Sequence, residues 1–531
     1  MIVDLIQTKD KELKKASICI LGGGVAGLVL AQELSSQLTE VVVLESGAEE
    51  FNMQTQQLYE AEGFPHDFPN PLSSRLRYLG GSSNHWQNNT TPLSPIDFEP
   101  RSWVENSGWP ISFGDIAPYY DKAASYCGTA PGGYNLNYWA GKLSGKDLVK
   151  ESKILTTNVA QVANPPVRFF SKLKNDLTAM TNVTIIKNAN VVDILFDEQQ
   201  NTVNKIYIES EPGDRFSIAA DIFVMCFGGM ENPRLLLEFN DKYNNGLGNQ
   251  GDCVGRYFMD HPVVRAAHFH AQNDEKFSLY KWSSIDNRLV KGFFQLEERL
   301  LTEQQLTNIR IPLIERSNYA LSDGISSYHS ITNALSNFEV PEDFGEHIYN
   351  LVTDFDMVAE AIARESLDVE LFEHANQFGG FELQVMIEQS PERHNRIKLG
   401  QRRDRYGIRK LIVDWQLSDN DKKRMWKGLE FAAKEVGALS LGRIRLLRER
   451  EDQIWNNLLG FGAHHMGTTR MSESSTNGVV DSNQKVFGTR NFYVGGSSVF
   501  ATGGHVPPTL TITAMTIRLA KHLLGEINSE H

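Results

Sequence analysis

Apolar positions near the start of the chain follow the order strand, glycine turn, helix, strand. The first apolar run is Ile18–Leu21, helix-like spacing covers Leu28–Leu38, and a second run covers Val41–Leu44. Two parallel strands joined by a helix form a βαβ unit. This pattern predicts a Rossmann-like nucleotide-binding unit at this end of the chain.

The turn between the first strand and the helix carries Gly22, Gly24 and Gly27 in the spacing G-x-G-x-x-G, with Val25 and Ala26 between them. The first glycine permits a tight turn, the second leaves room for a pyrophosphate, and the third lets the helix pack close to the strand. The N–H groups that open the helix favour phosphate. A dinucleotide site is therefore predicted here, and a glycine turn without a ligand is the alternative.

The second strand is followed by Glu45 and Ser46. A carboxylate at this place can accept hydrogen bonds from ribose hydroxyls, and it disfavours a phosphorylated ribose. NADP is therefore not expected. The glycine motif does not by itself distinguish NAD from FAD.

Composition narrows the class of protein. A chain of 531 residues is long enough for two or three domains, and its net charge of -14 argues against nucleic acid and anionic membrane surfaces as partners. The four cysteines form no C-x-x-C pair, so neither a metal site nor a disulfide framework is indicated. Without a signal-like or membrane-spanning apolar run, we expect a cytoplasmic protein.

Two further glycine turns lie downstream. The stretch 77–86 contains Gly81, Ser82, Asn84 and His85 and is typical of a loop that approaches a ligand closely. Gly228 follows an apolar strand-like run and precedes a helix-like run, which predicts a second strand-turn-helix crossing near the first.

The middle of the chain carries no chemical motif. Residues 263–375 are charged, with helix-like stretches at Leu289–Leu306 and Glu346–Ser366, and are predicted to be a helical insert that walls a pocket. The runs after it, from 380 to 415, predict a largely antiparallel sheet, and Asp419–Gly437 predicts an amphipathic helix.

The C-terminal region is the second chemically dense stretch. It contains His464-His465-Met466-Gly467, then Gly495-Gly496-Ser497-Ser498, then the string 505–511, which reads HVPPTLT. Histidines and glycines so far from the first glycine turn imply that the two ends of the chain meet at one site.

These motifs, in this order and spacing, resemble the glucose-methanol-choline (GMC) family of FAD-dependent oxidoreductases, and within it the branch of pyranose 2-oxidase and bacterial sugar dehydrogenases. The resemblance implies an α/β Rossmann-like FAD-binding domain from residues 14–115, 181–262 and 455–531. It implies a substrate domain of the α+β type from 116–180 and 263–454, built on an antiparallel sheet plus helices.

The resemblance also implies FAD rather than NAD. It assigns the cofactor to Gly22, Gly24, Val25, Ala26, Gly27, Glu45, Ser46, Gly81, Ser82, Asn84, His85, Val192, Gly228, Gly496, Ser497, Pro508 and Thr509. Non-covalent binding is expected, with a covalent bond at His85 as the alternative. The substrate is a small molecule, and the electron acceptor is oxygen or another oxidant.

By the spacing H-x-x-G, His464 matches the family's catalytic histidine and His465 is its neighbour. A neutral imidazole can take the alcohol proton as hydride leaves. The family's second hydrogen-bonding residue, usually His or Asn, falls on Pro507, which has no side-chain donor or acceptor. His505 either supplies that group or is a loop residue.

Two functions follow. The first is oxidation of a CH–OH group of a sugar, a polyol or a specialised metabolite. The second is desaturation, lyase or isomerase chemistry on the same fold, which the proline at 507 suggests. A binding protein that merely kept the fold is disfavoured by the intact glycine turns and histidines.

Overall fold

The structure is a computed structural model that describes residues 1–35, 39–243, 246–336, 341 and 343–530. Its strands are β1 Ile2–Asp4, β2 Glu12–Leu21, β3 Val41–Leu44, β4 Asn89–Thr90, β5 Leu155–Ala163, β6 Val183–Lys187, β7 Asn190–Asp197, β8 Thr202–Glu209, β9 Arg215–Met225, β10 Pro262–Ala271, β11 Ser283–Ile285, β12 Arg288–Leu296, β13 Ile309–Ile311, β14 Leu313–Ser317, β15 Phe378–Ile387, β16 Arg396–Arg403, β17 Arg409–Asp414, β18 Gly442–Leu446, β19 Gly460–Phe461 and β20 Phe492–Val494.

The α-helices pack on and between the sheets that these strands form. They are α1 Val25–Leu34, α2 Met53–Gln56, α3 Tyr120–Cys127, α4 Phe169–Ala179, α5 Gly228–Asn240, α6 Glu298–Gln304, α7 Asn318–Leu321, α8 Asp323–Ser336, α9 Phe344–Thr353, α10 Phe355–Leu367, α11 Asp419–Ala438, α12 Glu451–Asn456 and α13 Thr509–Glu530.

The first sheet has the strand order β1-β6-β3-β2-β9-β8-β7, with β20 also paired to β9. Its centre is parallel, because β2 runs parallel to both β3 and β9. The predicted βαβ unit is therefore confirmed. Helix α1 begins at Val25, three residues before the predicted start, and residues 36–38 of the predicted helix lie outside the described residues.

The second sheet has the strand order β18-β10-β15-β13-β12-β5-β4 and is antiparallel. Strands β16 and β17 form a separate antiparallel pair. The predicted combination of a Rossmann-like layer and an antiparallel sheet is thus confirmed, and so is the amphipathic helix, which is α11.

The helical character of the insert 263–375 was predicted wrongly over its first part. Leu289–Leu306 is not one helix, because it holds strand β12 followed by the short helix α6. Strand β12 is buried on both faces from Val290 to Leu296. Apolarity on both faces removes the alternation that distinguishes a strand, so periodicity alone cannot separate it from a buried helix. Only Glu346–Ser366 is helical as predicted, in α9 and α10.

The domain ranges stay a prediction, and two short strands cross them. Strands β4 and β19 lie within ranges assigned to the cofactor domain, yet they pair with β5 and β10 of the second sheet. They connect the two sheets at the place where the cavity described below opens.

The C-terminal segment joins the first sheet beside the glycine turn. Gly495 donates its N–H to the Met225 carbonyl oxygen at 2.7 Å, and helix α13 packs along α1. Buried side chains of both ends belong to one apolar core. The ends of the chain therefore do meet at one place.

Candidate active site

The first glycine turn forms a cradle whose glycines have different reasons to be small. Gly22 has a φ of +114°, which favours glycine, and a Cβ on Gly27 would lie 1.9 Å from the Gly22 carbonyl oxygen. A Cβ on Gly24 would meet nothing within 4 Å. Gly22 and Gly27 are thus fixed by the turn and by packing, whereas the space in front of Gly24 is open to a ligand.

Glu45 is held at the end of β3 by the backbone. Its side chain accepts hydrogen bonds from the N–H groups of Gly23 and Gly47, both at 2.8 Å. Oε1 also accepts from the Ser46 hydroxyl at 3.2 Å, so Oε2 is the oxygen that keeps a further acceptor site. The carboxylate can therefore receive ribose hydroxyls, as the sequence predicts.

The loop with Gly81 forms a second wall of this cradle. Gly80 donates its N–H to the Gly23 carbonyl oxygen at 2.9 Å, and a Cβ on Gly81 would lie 3.2 Å from the Gly24 Cα. His85 is exposed as a residue. Partial desolvation of its ring, and to a smaller extent the charge of Arg168, lower the pKa of this imidazole.

A third wall comes from two helix starts and the C-terminal glycines. Helix α5 begins at Gly228 and α13 begins at Thr509. The Ser497 hydroxyl donates to the His465 carbonyl oxygen at 2.6 Å, which ties this wall to the histidine segment. Both helix starts present N–H groups to the same space.

These walls enclose a cavity of about 740 Å³ that continues to the second sheet. It is lined by the predicted residues Gly22, Gly24, Val25, Ala26, Glu45, Ser46, Gly81, Ser82, His85, Gly228, His464, His465, Gly496, Ser497, Pro508 and Thr509. The open space at Gly24, the Glu45 carboxylate and the helix starts fit the pyrophosphate and ribose of FAD.

The predicted site residues Gly27, Asn84, Val192 and His505 do not line this cavity. Gly27 packs under the turn. The Asn84 side chain points to its own loop, where it donates to the Leu79 carbonyl oxygen at 3.0 Å. Val192 is buried in β7 within the apolar core.

His505 also differs from its predicted place. Its ring is fully buried, and its Nδ1 lies 3.9 Å from an Asp97 carboxylate oxygen. Burial lowers its pKa well below its ordinary value. His505 is not among the residues that line the cavity, whereas Pro507 is.

A histidine pair stands at the inner end of the cavity. His464 Nδ1 lies 2.8 Å from His261 Nδ1, and His261 Nε2 lies 2.9 Å from the Gly504 carbonyl oxygen. A carbonyl only accepts, so Nε2 of His261 carries the hydrogen and its Nδ1 accepts from Nδ1–H of His464. Neutral His464 is thereby left with an unprotonated Nε2.

The surroundings keep these rings neutral. Burial lowers the pKa of His464 well below its ordinary value, helped by His261, His465 and Arg310, and burial lowers the pKa of His261 to about 4. Burial, with a smaller contribution from Arg75, lowers the pKa of His465 to about 3. At neutral pH these rings are therefore uncharged, and His464 keeps its Nε2 as a proton acceptor.

Asp260 anchors both histidine backbones. One carboxylate oxygen accepts from the N–H groups of His261 at 2.6 Å and His464 at 2.8 Å, and burial raises the pKa of this carboxyl to about 7. Its other oxygen lies 3.8 Å from His465 Nε2. Sequence reasoning missed Asp260 and His261, although the string Asp260-His261-Pro262 directly before an apolar run was a usable signal.

Two cationic side chains at the second sheet were also missed. Lys291 of β12 and Arg310 of β13 line the cavity together with Gln384, Trp282 and Asn89. They lie on different strands, and only the strand pairing brings them together.

Two kinds of feature, a cluster of metal ligands and a membrane-spanning helix, are not found among the described residues. Within residues 1–35, 39–243, 246–336, 341 and 343–530, no three His, Cys, Asp or Glu side chains converge as metal ligands. None of the helices described in these ranges is long and apolar enough to cross a bilayer.

Comparisons with known proteins agree with this geometry. A family model described as GMC oxidoreductase matches residues 391–516. The 2-methyl-1,2-propanediol dehydrogenase of Mycolicibacterium austroafricanum is 22% identical, over 96% of this chain and 95% of that protein. The 6'''-hydroxyparomomycin C oxidase of Streptomyces lividus is 20% identical, over 97% of this chain and 92% of that protein.

The fold is shared with solved structures. A variant of the formate oxidase of Aspergillus oryzae RIB40 superimposes with a TM-score of 0.57 at 15% identity, covering 99% of this chain and 100% of that one. The chain therefore resembles the GMC oxidoreductases, over residues 391–516 by the family model and over nearly its whole length by the relatives. It is an FAD-dependent oxidoreductase of the type that acts on CH–OH donors.

Proposed function

We propose that this enzyme oxidises an alcohol group of a small polar molecule, such as a sugar, a polyol or a specialised metabolite, with His464 as the base. The observation that carries this proposal is the unprotonated Nε2 of His464 on the wall of the cavity, fixed by the 2.8 Å contact with His261. Loss of hydride from the CH–OH carbon requires that the hydroxyl proton also leave, and a neutral imidazole can receive it.

The relatives support the substrate class. One is named a diol dehydrogenase and another an aminoglycoside oxidase. Bound FAD supplies the hydride acceptor. The residues of this chain hold the alcohol against the base, and the two sheets between which the cavity lies shield the reacting groups from water.

Holding the base in one tautomer is the part of the mechanism that this chain contributes most clearly. Gly504 orients His261, and His261 orients His464. A base whose ring is held in place loses less entropy in reaching the transition state. The Asp260 carboxylate fixes the backbone of both residues, and rotation of either ring would break the contact between the two Nδ1 atoms.

The test is anaerobic mixing of the yellow enzyme with a panel of diols, polyols, sugars and aminoglycosides, followed by flavin absorbance. Bleaching by at least one alcohol, together with the carbonyl product by mass spectrometry, is expected. Retained absorbance with every member of the panel would contradict the proposal.

The second candidate is lyase, isomerase or desaturation chemistry on the same fold. It is favoured by Pro507, which lines the cavity where the family has a hydrogen-bonding residue, and by the burial of His505 away from it. Pro507→Asn should create or raise alcohol oxidation if this candidate holds. No gain in the rate of flavin bleaching would count against it.

A further inference from the structure

We infer that the substrate carries an oxyanionic group, a carboxylate or a phosphate, and that Arg310 and Lys291 bind it. The inference rests on the proposed function only in treating the bound molecule as the substrate. It concerns the part of the cavity at the second sheet, opposite the glycine cradle.

Both side chains are buried and both line the cavity. Arg310 is 4% exposed and Lys291 is 3% exposed. Burial lowers the pKa of Lys291 to about 7, with Arg310 adding to the effect, and burial lowers the pKa of Arg310 to about 10. A buried cation without an ion-pair partner is unfavourable unless an anion joins it.

The other charged groups of the cavity are already paired. Glu231 accepts from Arg75 at 3.0 Å and from Arg77 at 3.2 Å, and Glu45 is held by backbone N–H groups. Among the residues that the structure describes, no carboxylate forms an ion pair with Arg310 or Lys291. The part of the chain that the structure describes thus gives neither side chain a carboxylate partner, in a protein whose net charge is -14.

Neutral contacts hold the two cations in place. Arg310 donates to the Asn89 side-chain oxygen at 3.2 Å and stacks on Phe293, with its guanidinium carbon 4.6 Å from the ring centre. Lys291 Nζ donates to the Leu313 carbonyl oxygen at 3.3 Å and lies 4.9 Å from the Trp282 ring centre. Aromatic faces keep a cation charged without using up its N–H groups.

One donor remains without a partner. Arg310 Nε is buried and makes no hydrogen bond to any described residue. A guanidinium presents its donors in a fork that matches the two oxygens of a carboxylate or a phosphate. An oxyanion bound to this guanidinium would supply the negative charge that no described carboxylate provides in an ion pair with Arg310 or Lys291.

This anion position is close to the base. The charge of Arg310 contributes to the lowered pKa of His464, and both residues line one cavity. A molecule held by its oxyanion at Arg310 would present a nearby hydroxyl to His464 Nε2. Hydroxy acids, sugar acids and phosphorylated polyols are the compounds with this arrangement.

The experiment titrates FAD-loaded enzyme anaerobically with compounds that share a skeleton and differ in charge. One set is glycerol, glycerate and glycerol 3-phosphate, and the other is sorbitol and gluconate. Flavin absorbance reports both binding and reduction. In at least one set the anion should bind at least about tenfold more tightly than the neutral compound, a difference typical of charge-assisted pairing. The carboxylate and phosphate arms show which oxyanion is preferred.

The variants Arg310→Met and Lys291→Met should each abolish that preference, and Arg310→Lys should restore part of it. The matched control is Arg265→Met, since Arg265 is a cation of the same sheet whose side chain is 59% exposed and paired with Glu382 at 3.2 Å. If Arg310→Met does not fold, the Arg310→Lys and Lys291→Met titrations decide.

Equal binding of anions and neutral compounds in both sets, or an anion preference of undiminished size in both Lys291→Met and Arg310→Lys, would overturn the inference. Bleaching by neutral alcohols without any anion preference would remove this inference alone. Tight anion binding in an enzyme that no alcohol bleaches would instead remove the proposed function and leave the anion site.

Discussion

His261 Nδ1 and His464 Nδ1 lie 2.8 Å apart, and the carbonyl oxygen beyond His261 decides which of them holds the hydrogen. The direction of this contact makes the cavity-side nitrogen of His464 an acceptor. The backbone carbonyl of Gly504 thus determines the tautomer of His464, because it orients His261 and His261 in turn accepts the hydrogen of His464 Nδ1.

Replacement of the base should slow the transfer of hydride without emptying the cofactor site. We expect His464→Ala to lower the anaerobic rate of flavin reduction by about 10²–10⁴-fold, the usual contribution of a general base. His394→Ala is the control, because that ring is 53% exposed. A rate near that of the unmodified enzyme would exclude His464 as the base.

Loss of the orienting histidine should slow the same step through the tautomer. We expect His261→Leu to slow flavin reduction by about tenfold or more, and His261→Asn to recover part of the rate because its amide oxygen can accept from Nδ1–H. Rapid mixing measures both. If His261→Asn and His261→Leu are equally slow, the ring acts through packing rather than by accepting this hydrogen.

The pH dependence follows from the direction of the pKa shift of His464. The base must be neutral, and burial lowers its pKa well below the ordinary value. Protonation of His464 therefore removes activity only below about pH 6.5, the ordinary pKa of histidine. The profile of kcat/KM is measured in Asp260→Asn with a neutral alcohol, because Asp260 and Lys291 each have a pKa of about 7. An acidic limb centred at or above the ordinary histidine value would contradict a buried base.

Alanine substitutions at two glycines of one motif should have different effects, one on FAD binding and the other on thermal stability. A Cβ at position 24 meets no atom within 4 Å, whereas a Cβ at position 27 would lie 1.9 Å from a carbonyl oxygen. Gly24→Ala should keep the Tm of the FAD-free protein and lose FAD, because the methyl group occupies the pyrophosphate space. Gly27→Ala should lower the Tm itself. Absorbance at the flavin bands and thermal unfolding separate the two effects.

The buried acid Glu231 should be a main support of the fold at the cofactor site. Arg234, Arg75 and Arg77 outweigh the effect of burial and lower its pKa to about 2. A lowered pKa contributes stability above the unfolded value, and this is lost as pH falls from about 4.5 towards 2. Glu231→Gln, which removes the charge partner of Arg75 and Arg77 and leaves Arg234 with Asp404 alone, should cost about 3–5 kcal/mol of unfolding free energy.

The control for Glu231→Gln is Glu12→Gln, since the Glu12 side chain is 79% exposed and pairs only with Lys205 at the surface. Exposed pairs contribute about 0–1 kcal/mol. Urea unfolding at neutral pH compares the two. A similar, small loss in both variants would show that the arginine cluster does not depend on the acid.

The parts of the site that the sequence predicts are those with local signals. Gly24, Glu45 and His464 stand in strings whose spacing carries the chemistry, and the structure brings them to one cavity. Lys291 and Arg310 carry no such signal, because they meet only through the pairing of β12 with β13. His505 is buried and does not line the cavity, which its sequence distance from Pro507 does not reveal.

The joining of β20 and α13 to the first sheet also sets the order in which the enzyme can be made. The glycine turn emerges from the ribosome early, but the strand beside β9 and the helix start at Thr509 are synthesised last. Domains otherwise tend to fold as they emerge, N-terminal part first. Here a nascent chain that ends before Thr509 has only part of the cradle. We therefore expect FAD to be retained only after the whole site has been translated, and the unfinished unit to be exposed to chaperones until then.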